Sequence, residues 1–208
     1  MHYQLRRFWL LASLLALTLS TLLTAPALAG PAKSCGARTV SQPFLPWLDV
    51  GHYFLFPGGD LESTSGWTLS GGARLVQGNE PYLVNTHGDT HSLLLPSGSS
   101  ARTASSCVDS AEPTVRFFVR NTGSPLSTLA VDARVRTTLL GVTTETTAPV
   151  GVVLGTAQTW QPSLPAVFEL SLNQLLGATT TIDFGFTALG SGGSWQVDDV
   201  YVDPFKDR

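Results

Sequence analysis

The chain of 208 residues is 43% hydrophobic and only 13% charged, a balance that argues against intrinsic disorder and suits one domain with a sizeable core. Its formal net charge is −3, and its 12 lysines and arginines are not clustered. This excludes the basic footprint by which nucleic-acid-binding proteins attract phosphate backbones.

The first 29 residues have the pattern of a secretory signal peptide. Arg6 and Arg7 form the charged start, residues 8–23 are an apolar run, and Ala27-Leu28-Ala29 is a small-residue cleavage site. No basic stop-transfer segment follows the run, so a retained membrane helix is the weaker alternative. We predict a secreted, extracellular protein with no membrane attachment once the signal has been removed.

The only two cysteines are Cys35 and Cys107. Exported proteins fold in an oxidising compartment, where two cysteines in a single domain usually form a disulfide. We therefore predict a Cys35–Cys107 bridge, and the alternative is a pair of buried free thiols.

Residues 30–50 are predicted to form an extended N-terminal segment, and residues 51–208 a single β-sandwich domain. The segment contains three prolines and has no clear hydrophobic period. Its expected anchors are the cysteine and four apolar side chains, Phe44, Leu45, Trp47 and Leu48.

From residue 51 onward, short β-branched and aromatic runs alternate with turns rich in glycine and proline. The predicted strands are 67–69, 73–76, 91–95, 114–120, 127–138, 150–154, 167–172, 180–188 and a last strand from 195. Only residues 172–176 suggest a helical turn. Many short strands and no amphipathic helix predict an all-β fold, a jelly-roll β-sandwich.

The last predicted strand contains a break in its alternation. Trp195 and Val197 share one parity, whereas Val200 and Val202 share the other. A β-bulge at Asp198-Asp199 accounts for the break and would redirect a carboxylate. The alternative is a central strand covered on both faces, in which two buried aspartates need partners.

Carboxylates lie at two predicted strand ends that are far apart in the sequence. Asp60 and Glu62 follow two glycines, and Asp198 and Asp199 lie at the break in the last strand. Carboxylates and backbone carbonyls at bent strand ends are ligands that calcium prefers, and such an ion would join the first strand to the last. The alternative is a set of turn residues that cap backbone N–H groups in solvent.

The same two stretches resemble a known family. Gly58-Gly59-Asp60-Leu61-Glu62, Gly66-Trp67 and Gly71-Gly72-Ala73, ended by Trp195-Gln196-Val197-Asp198-Asp199-Val200-Tyr201-Val202, are similar to calcium-containing jelly-roll carbohydrate-binding modules of the galactose-binding-like group. The resemblance covers about residues 51–203. It implies a structural calcium held by Glu62 and Asp198, with Asp60 and Asp199 as helpers. The chain departs from the pattern because Leu61 replaces the usual Phe and Gly58 the usual Asn.

Sugar-binding faces stack sugar rings on exposed aromatic side chains, and Trp160 and Tyr82 are the predicted ligand-binding residues. Trp160 lies in a predicted loop and is the best candidate for exposure, while Tyr82 follows Pro81 between turn residues. The alternative for both is packing in the core, as expected for Trp67 and Trp195.

Four arginines share the outward parity of two predicted strands, namely Arg116, Arg120, Arg134 and Arg136. They form either a basic stripe for an acidic glycan or a solvated face with cross-strand ion pairs.

The chain has neither a Gly-x-Ser-x-Gly elbow nor a Ser-x-x-Lys motif, so we do not predict an enzyme. The sequence favours a secreted, non-catalytic module that binds an extracellular glycan or cell-surface polymer and is stabilised by calcium. The alternative is a secreted structural or interaction protein with the same fold and no sugar site. A small hydrolase is the third hypothesis.

Overall fold

The computed structural model describes residues 35–109, 112–168 and 178–203. The predicted signal peptide and the helical turn predicted at 172–176 lie outside these residues. In the described part of the chain, no helix is long and apolar enough to cross a membrane.

One 3₁₀ turn and thirteen strands make up the described secondary structure. The turn is Leu45–Trp47, and the strands are β1 Phe54–Leu55, β2 Trp67–Ser70, β3 Arg74–Gln77, β4 His91–Pro96, β5 Ser100–Thr103, β6 Ser106–Cys107, β7 Thr114–Asn121, β8 Thr128–Leu139, β9 Val142–Leu154, β10 Gln161–Pro162, β11 Ala166–Val167, β12 Thr179–Leu189 and β13 Ser194–Asp203.

The strands form two antiparallel sheets packed as a jelly-roll β-sandwich. The front sheet has the order β10-β7-β13-β4-β3, with β1 paired to β13 and β11 paired to β7. The back sheet has the order β2-β5-β12-β8-β9, with β6 paired to β12. The chain passes repeatedly between the two sheets, so the predicted all-β fold is confirmed.

The core lies between the sheets and is built from alternate residues of each strand. Leu129, Val131 and Ala133 of β8 are buried, as the alternation of this run predicts. Phe117 of β7 and Phe186 of β12 meet edge to face with their ring centres 5.1 Å apart, which joins the two sheets at the centre.

Two features of the back sheet differ from the sequence prediction. The strand predicted at 150–154 is the end of the much longer β9, whose first half is exposed on both faces. A segment that buries neither face carries no apolar alternation, so its threonines gave no strand signal. The short strands β5 and β6 were also missed for lack of a long enough period.

The N-terminal segment is fixed to the sandwich by a covalent bond and an ion pair. The predicted disulfide joins Cys35 to Cys107, with Cα atoms 5.6 Å apart. Beside it, the Arg38 guanidinium donates to both carboxylate oxygens of the buried Glu112, at 3.1 and 3.2 Å. The segment is not extended throughout, because the 3₁₀ turn interrupts it.

Of the expected apolar anchors, Phe44 is fully buried, whereas Leu48 is 92% exposed. Leu48 follows the 3₁₀ turn with a left-handed backbone, φ 63°, and this turns its side chain into solvent. The prediction that Leu48 anchors the segment is therefore wrong.

The outer face of the back sheet carries a network of ion pairs centred on Asp183. This buried carboxylate accepts hydrogen bonds from Arg102 (2.8 Å), Arg134 (3.1 Å) and Arg136 (2.8 Å). Arg102 also pairs with Asp132. Burial by itself would raise the pKa of Asp183, but the hydrogen bonds from Arg102 and Arg134 outweigh it and lower the pKa below its ordinary value.

We predict that Asp183→Asn lowers the free energy of unfolding at neutral pH by about 3 kcal/mol, because it leaves three arginines without their shared carboxylate. A lowered folded pKa contributes stability above the unfolded pKa of about 3.9, and this contribution disappears as the pH falls through the folded pKa. The difference between parent and variant should therefore shrink on acidification below about pH 4, as measured by urea unfolding across a pH series.

Asp132→Asn is the matched control, since it removes a more exposed partner of Arg102 and leaves Asp183 in place. It should cost only about 1 kcal/mol. A loss in Asp183→Asn no larger than in this control, or one that does not change with pH, would contradict the prediction.

Candidate metal centre and ligand-binding face

The predicted β-bulge is present in β13. The strand pairs Asp198 with Phe118 of β7 and then Tyr201 with Arg116, so two residues of β13 face one residue of β7. Asp199 within the bulge has a left-handed backbone, φ 48°. The bulge restores the apolar phase, because Val197 and Val200 both enter the core.

The structure brings the two ends of the domain together at this bulge. Phe54 of β1 pairs with Val202, and the Gly59 carbonyl accepts a hydrogen bond from the Val200 N–H at 3.0 Å. A Cβ atom on Gly59 would lie 2.5 Å from the Val200 carbonyl oxygen, so only glycine permits this approach. The glycine pair therefore places Asp60 and Glu62 near the bulge.

Both aspartates of the bulge are fully buried, but their surroundings differ. The Asp198 carboxylate accepts hydrogen bonds from the backbone N–H groups of Glu80 (3.0 Å) and Asp199 (2.9 Å). Both carboxylate oxygens of Asp199, in contrast, accept no hydrogen bond from any described residue. A buried carboxylate without a partner is costly, so Asp199 is the unusual group of this region.

The pKa values of the two aspartates are both raised, because no positive charge of the described chain compensates their burial. Burial, followed by the charge of Asp199, raises the pKa of Asp198 to about 9. Burial, followed by the charges of Glu80 and Asp89, raises the pKa of Asp199 to about 8. Like charges in a low-dielectric site disfavour ionisation, and a cation placed among them would reverse this effect.

Glu80 and Asp89 belong to this site although the sequence analysis did not select them. They lie at the two ends of the β3–β4 loop, residues 78–90, and both are buried. Glu80 accepts hydrogen bonds from the backbone N–H groups of Tyr82 and Val84. Their sequence positions resemble ordinary turn residues, and only the folding of the loop over β13 buries them.

Glu62 lies in the β1–β2 loop, and its carboxylate is bonded to the start of β4. Its carboxylate accepts hydrogen bonds from the backbone N–H groups of Thr90 (2.6 Å) and His91 (2.7 Å), and it contacts the His91 ring nitrogen at 3.0 Å. Burial opposes ionisation, but these hydrogen bonds outweigh it and lower the pKa of Glu62.

We call the six residues Asp60, Glu62, Glu80, Asp89, Asp198 and Asp199 the carboxylate cluster. None of them forms an ion pair with a lysine or arginine of the described chain. Within the described ranges, no three His, Cys, Asp or Glu side chains converge closely enough to hold a metal by themselves. A cation here would need backbone oxygens as well, which calcium commonly uses.

A second notable surface is the outer face of the front sheet. Tyr82 of the β3–β4 loop is 46% exposed, and its ring packs edge to face against Trp47 with ring centres 4.7 Å apart. Its hydroxyl donates to the Trp160 carbonyl at 2.9 Å. Tyr82 is therefore exposed, as predicted. Both rings of the aromatic pair contact Phe118 of β7.

Trp160 is only 8% exposed, so the expectation of an exposed loop side chain is wrong. It directly precedes β10, which pairs with β7, and its ring therefore packs with the buried aromatic residues on the outer face of the front sheet. The Arg120 guanidinium covers the ring at 5.0 Å from its centre.

A row of outward-facing residues crosses the front sheet next to these aromatic rings. The strand register aligns Arg120 of β7, Gln196 of β13, Leu94 of β4 and Arg74 of β3. Their strand neighbours Val119, Val197 and Leu93 enter the core, which directs the row outward. Arg120 Nε donates to the Gln196 side-chain carbonyl.

No protein-family model matches the chain, and no curated protein matches it. Several solved structures are similar to it. A family 61 carbohydrate-binding module solved with β-1,4-galactotriose is 15% identical, with a TM-score of 0.36 over 71% of this chain and 96% of that module. The CBM22-1–GH10 modules of Clostridium thermocellum xylanase 10B, solved with xylohexaose, are 15% identical, with a TM-score of 0.48 over 72% of this chain and 28% of that one.

A third neighbour is a xylan-binding CBM22-2 domain from Paenibacillus barcinonensis Xyn10C. It is 13% identical, with a TM-score of 0.43 over 70% of this chain and 95% of that domain. The first and third of these neighbours are carbohydrate-binding modules, and the second contains one.

Proposed function

We propose that the protein is a secreted, non-catalytic module that binds an extracellular glycan or cell-surface polymer on the outer face of its front sheet. The observation that carries the proposal is the Tyr82–Trp47 pair beside Arg120, in which Tyr82 is 46% exposed and Trp47 is partly buried. An aromatic ring offers an apolar surface for the C–H face of a sugar, while arginine and amide groups hydrogen-bond to its hydroxyls. The signal-peptide pattern and the disulfide support secretion.

The two outer faces of the sandwich differ in a way that favours the front sheet. In the described ranges, the outward positions of the back-sheet strands carry no aromatic residue, and the arginines there are paired with carboxylates. The front face combines the exposed Tyr82 ring with Arg120 and Arg74, which have hydrogen-bond donors to spare. Glycan recognition by stacking is therefore supported only on the front face.

The aromatic pair is held in place before any ligand arrives. The Tyr82 backbone N–H donates to the buried Glu80, and its hydroxyl donates to the Trp160 carbonyl. A side chain fixed in this way loses little conformational entropy on binding, so more of the contact energy contributes to affinity.

We further propose that calcium occupies the carboxylate cluster, with Asp199 as its buried ligand and Asp60, Glu62 and Asp198 nearby. The support is the fully buried Asp199 carboxylate, whose two oxygens accept no hydrogen bond from a described residue. The donor set consists of oxygen atoms, as calcium prefers. Such an ion would supply the positive charge that the six carboxylates lack.

We predict that Tyr82→Ala and Trp47→Ala each weaken binding to the recognised glycan by about tenfold, since each removes an aromatic surface worth roughly 1 kcal/mol or more. The measurement is a glycan-array screen followed by calorimetry with the best ligand. Tyr82→Phe keeps the ring and should bind nearly as well as the parent.

Leu140→Ala is the control on the opposite side, since it trims a side chain that is 95% exposed in the β8–β9 turn. It should leave binding unchanged. If no glycan binds the parent, the proposal fails, and a structural or interaction role becomes the better hypothesis.

We predict that millimolar calcium raises the thermal unfolding midpoint by several degrees, and that a chelator reverses the shift. An ion at about 100 times its dissociation constant stabilises the folded state by roughly 2.7 kcal/mol. In Asp199→Asn the shift should be mostly lost. In chelator this variant should be at least as stable as the parent, because it removes an uncompensated buried charge.

Asp132→Asn removes a carboxylate outside the cluster and should keep the full calcium shift. Calcium would be rejected as a ligand if the parent showed no shift, or if Asp199→Asn kept all of it.

A further inference from the structure

The arginines of this protein fall into two classes. Within residues 35–109, 112–168 and 178–203 there are seven, and five of them form ion pairs with carboxylates: Arg38, Arg102, Arg116, Arg134 and Arg136. Arg74 and Arg120 have no carboxylate partner among these residues. Strand parity suggested a basic stripe of four arginines, and this prediction is wrong for Arg116, Arg134 and Arg136, which are paired with carboxylates.

The two unpaired arginines lie at opposite ends of one row on the front sheet. Gln196 pairs with Arg120 on one side and with Leu94 on the other, and Leu94 pairs with Arg74. Neighbouring strands are about 4.8 Å apart, so the two backbone positions are separated by roughly 14 Å. The row is long enough for several sugar rings of one extended chain.

Both guanidinium groups keep donors available. Arg120 uses Nε for Gln196 and lies over the Trp160 ring, while its terminal nitrogens donate to no described residue. Arg74 is exposed and donates only to the Gly72 carbonyl, at 3.1 Å. An arginine with two free, parallel N–H groups matches the geometry of a carboxylate.

We propose that the ligand of this face is an acidic glycan, a linear polysaccharide with carboxylates on its sugar rings that Arg120 and Arg74 bind. The inference rests on the proposed glycan-binding function and specifies its ligand class. Leu94 is partly exposed between the arginines and offers a small apolar surface to the intervening rings, while Gln196 is only 6% exposed and holds Arg120 in place. Tyr82 and Trp47 provide the stacking surface beside Arg120.

The negative net charge of the protein does not attract an acidic glycan, so recognition must come from individual residues. The formal net charge is −3, so a polyanion gains nothing from general attraction to the protein. The nearest carboxylate along β13 is Asp198, which is buried beneath the β3–β4 loop and bonded to backbone N–H groups. Binding of an acidic glycan must therefore depend on the two unpaired arginines.

The test is calorimetry in calcium-containing buffer with short oligogalacturonates and with the same oligomers fully methyl-esterified. The two ligands share one backbone and differ only in charge. The parent should bind the acid at least about tenfold more tightly than the ester. Arg120→Gln and Arg74→Gln should each remove most of this preference and reduce the salt dependence of binding, whereas Arg120→Lys should retain part of it.

Arg136→Gln removes the same charge from the back sheet, and oligogalacturonate binding should not change. Circular dichroism of each variant verifies its fold. A sulfated dextran and a polyglutamate complete the ligand set. Arginine-dependent binding of the sulfated glycan alone overturns the inference that the ligand carries carboxylates, because sulfate esters would then be the recognised groups. Equal binding of polyglutamate overturns the inference, because charge alone would then be recognised.

The inference and the proposed function fail in different ways. If neutral glycans bind as tightly as acidic ones and the arginine variants are unaffected, the acidic ligand is ruled out while glycan binding stands. If the parent binds neither acidic nor neutral glycans, both are wrong.

Discussion

The uncompensated buried charge at the bulge of β13 is the constraint on which the surrounding structure depends. Asp199 lies in a left-handed conformation with no hydrogen-bond partner among the described residues, and the other carboxylates of the cluster surround it. Such an arrangement is unfavourable unless protons or a cation compensate it. The arrangement also demands the close approach of Gly59 to Val200 and the folding of the β3–β4 loop over the strand. The local strain and the burial therefore have one common cause, the convergence of β1 and the Gly59 turn with β13 at one site.

The sandwich separates its charges between its two faces. On the back sheet, Asp183 forms ion pairs with three arginines, so positive and negative groups neutralise one another. On the front sheet, Asp198 and Asp199 are buried, while Arg74 and Arg120 remain without carboxylate partners among the described residues. Because a paired surface is already satisfied, it offers little to a ligand. The two unpaired arginines beside the exposed Tyr82 ring are the part of the described surface whose donors remain available.

The sequence allowed the fold and the β-bulge to be predicted because both follow from local periodicity. The bulge was visible as a phase slip between Val197 and Val200, and the glycines before Asp60 marked a tight approach. Glu80 was not predictable in this way, since its burial depends on where the β3–β4 loop lies against β13. The burial of Trp160 was not predictable for the same reason, because a loop position in the sequence does not indicate which sheet covers the ring. Tertiary packing determines the burial of both residues, and no local sequence pattern encodes that packing directly.

Glu80 connects the carboxylate cluster to the outer face that carries Tyr82. One oxygen of its carboxylate accepts the Tyr82 N–H and the other the Val84 N–H, while its charge acts on Asp199 below. Burial raises the pKa of Glu80, so its charge state follows whatever compensates the cluster. An ionised Glu80 holds the loop backbone more strongly than a protonated one, since charge-assisted hydrogen bonds are the stronger kind. Compensation of the buried charge should therefore also fix the position of the Tyr82 ring, which makes the cluster and the aromatic face one functional unit.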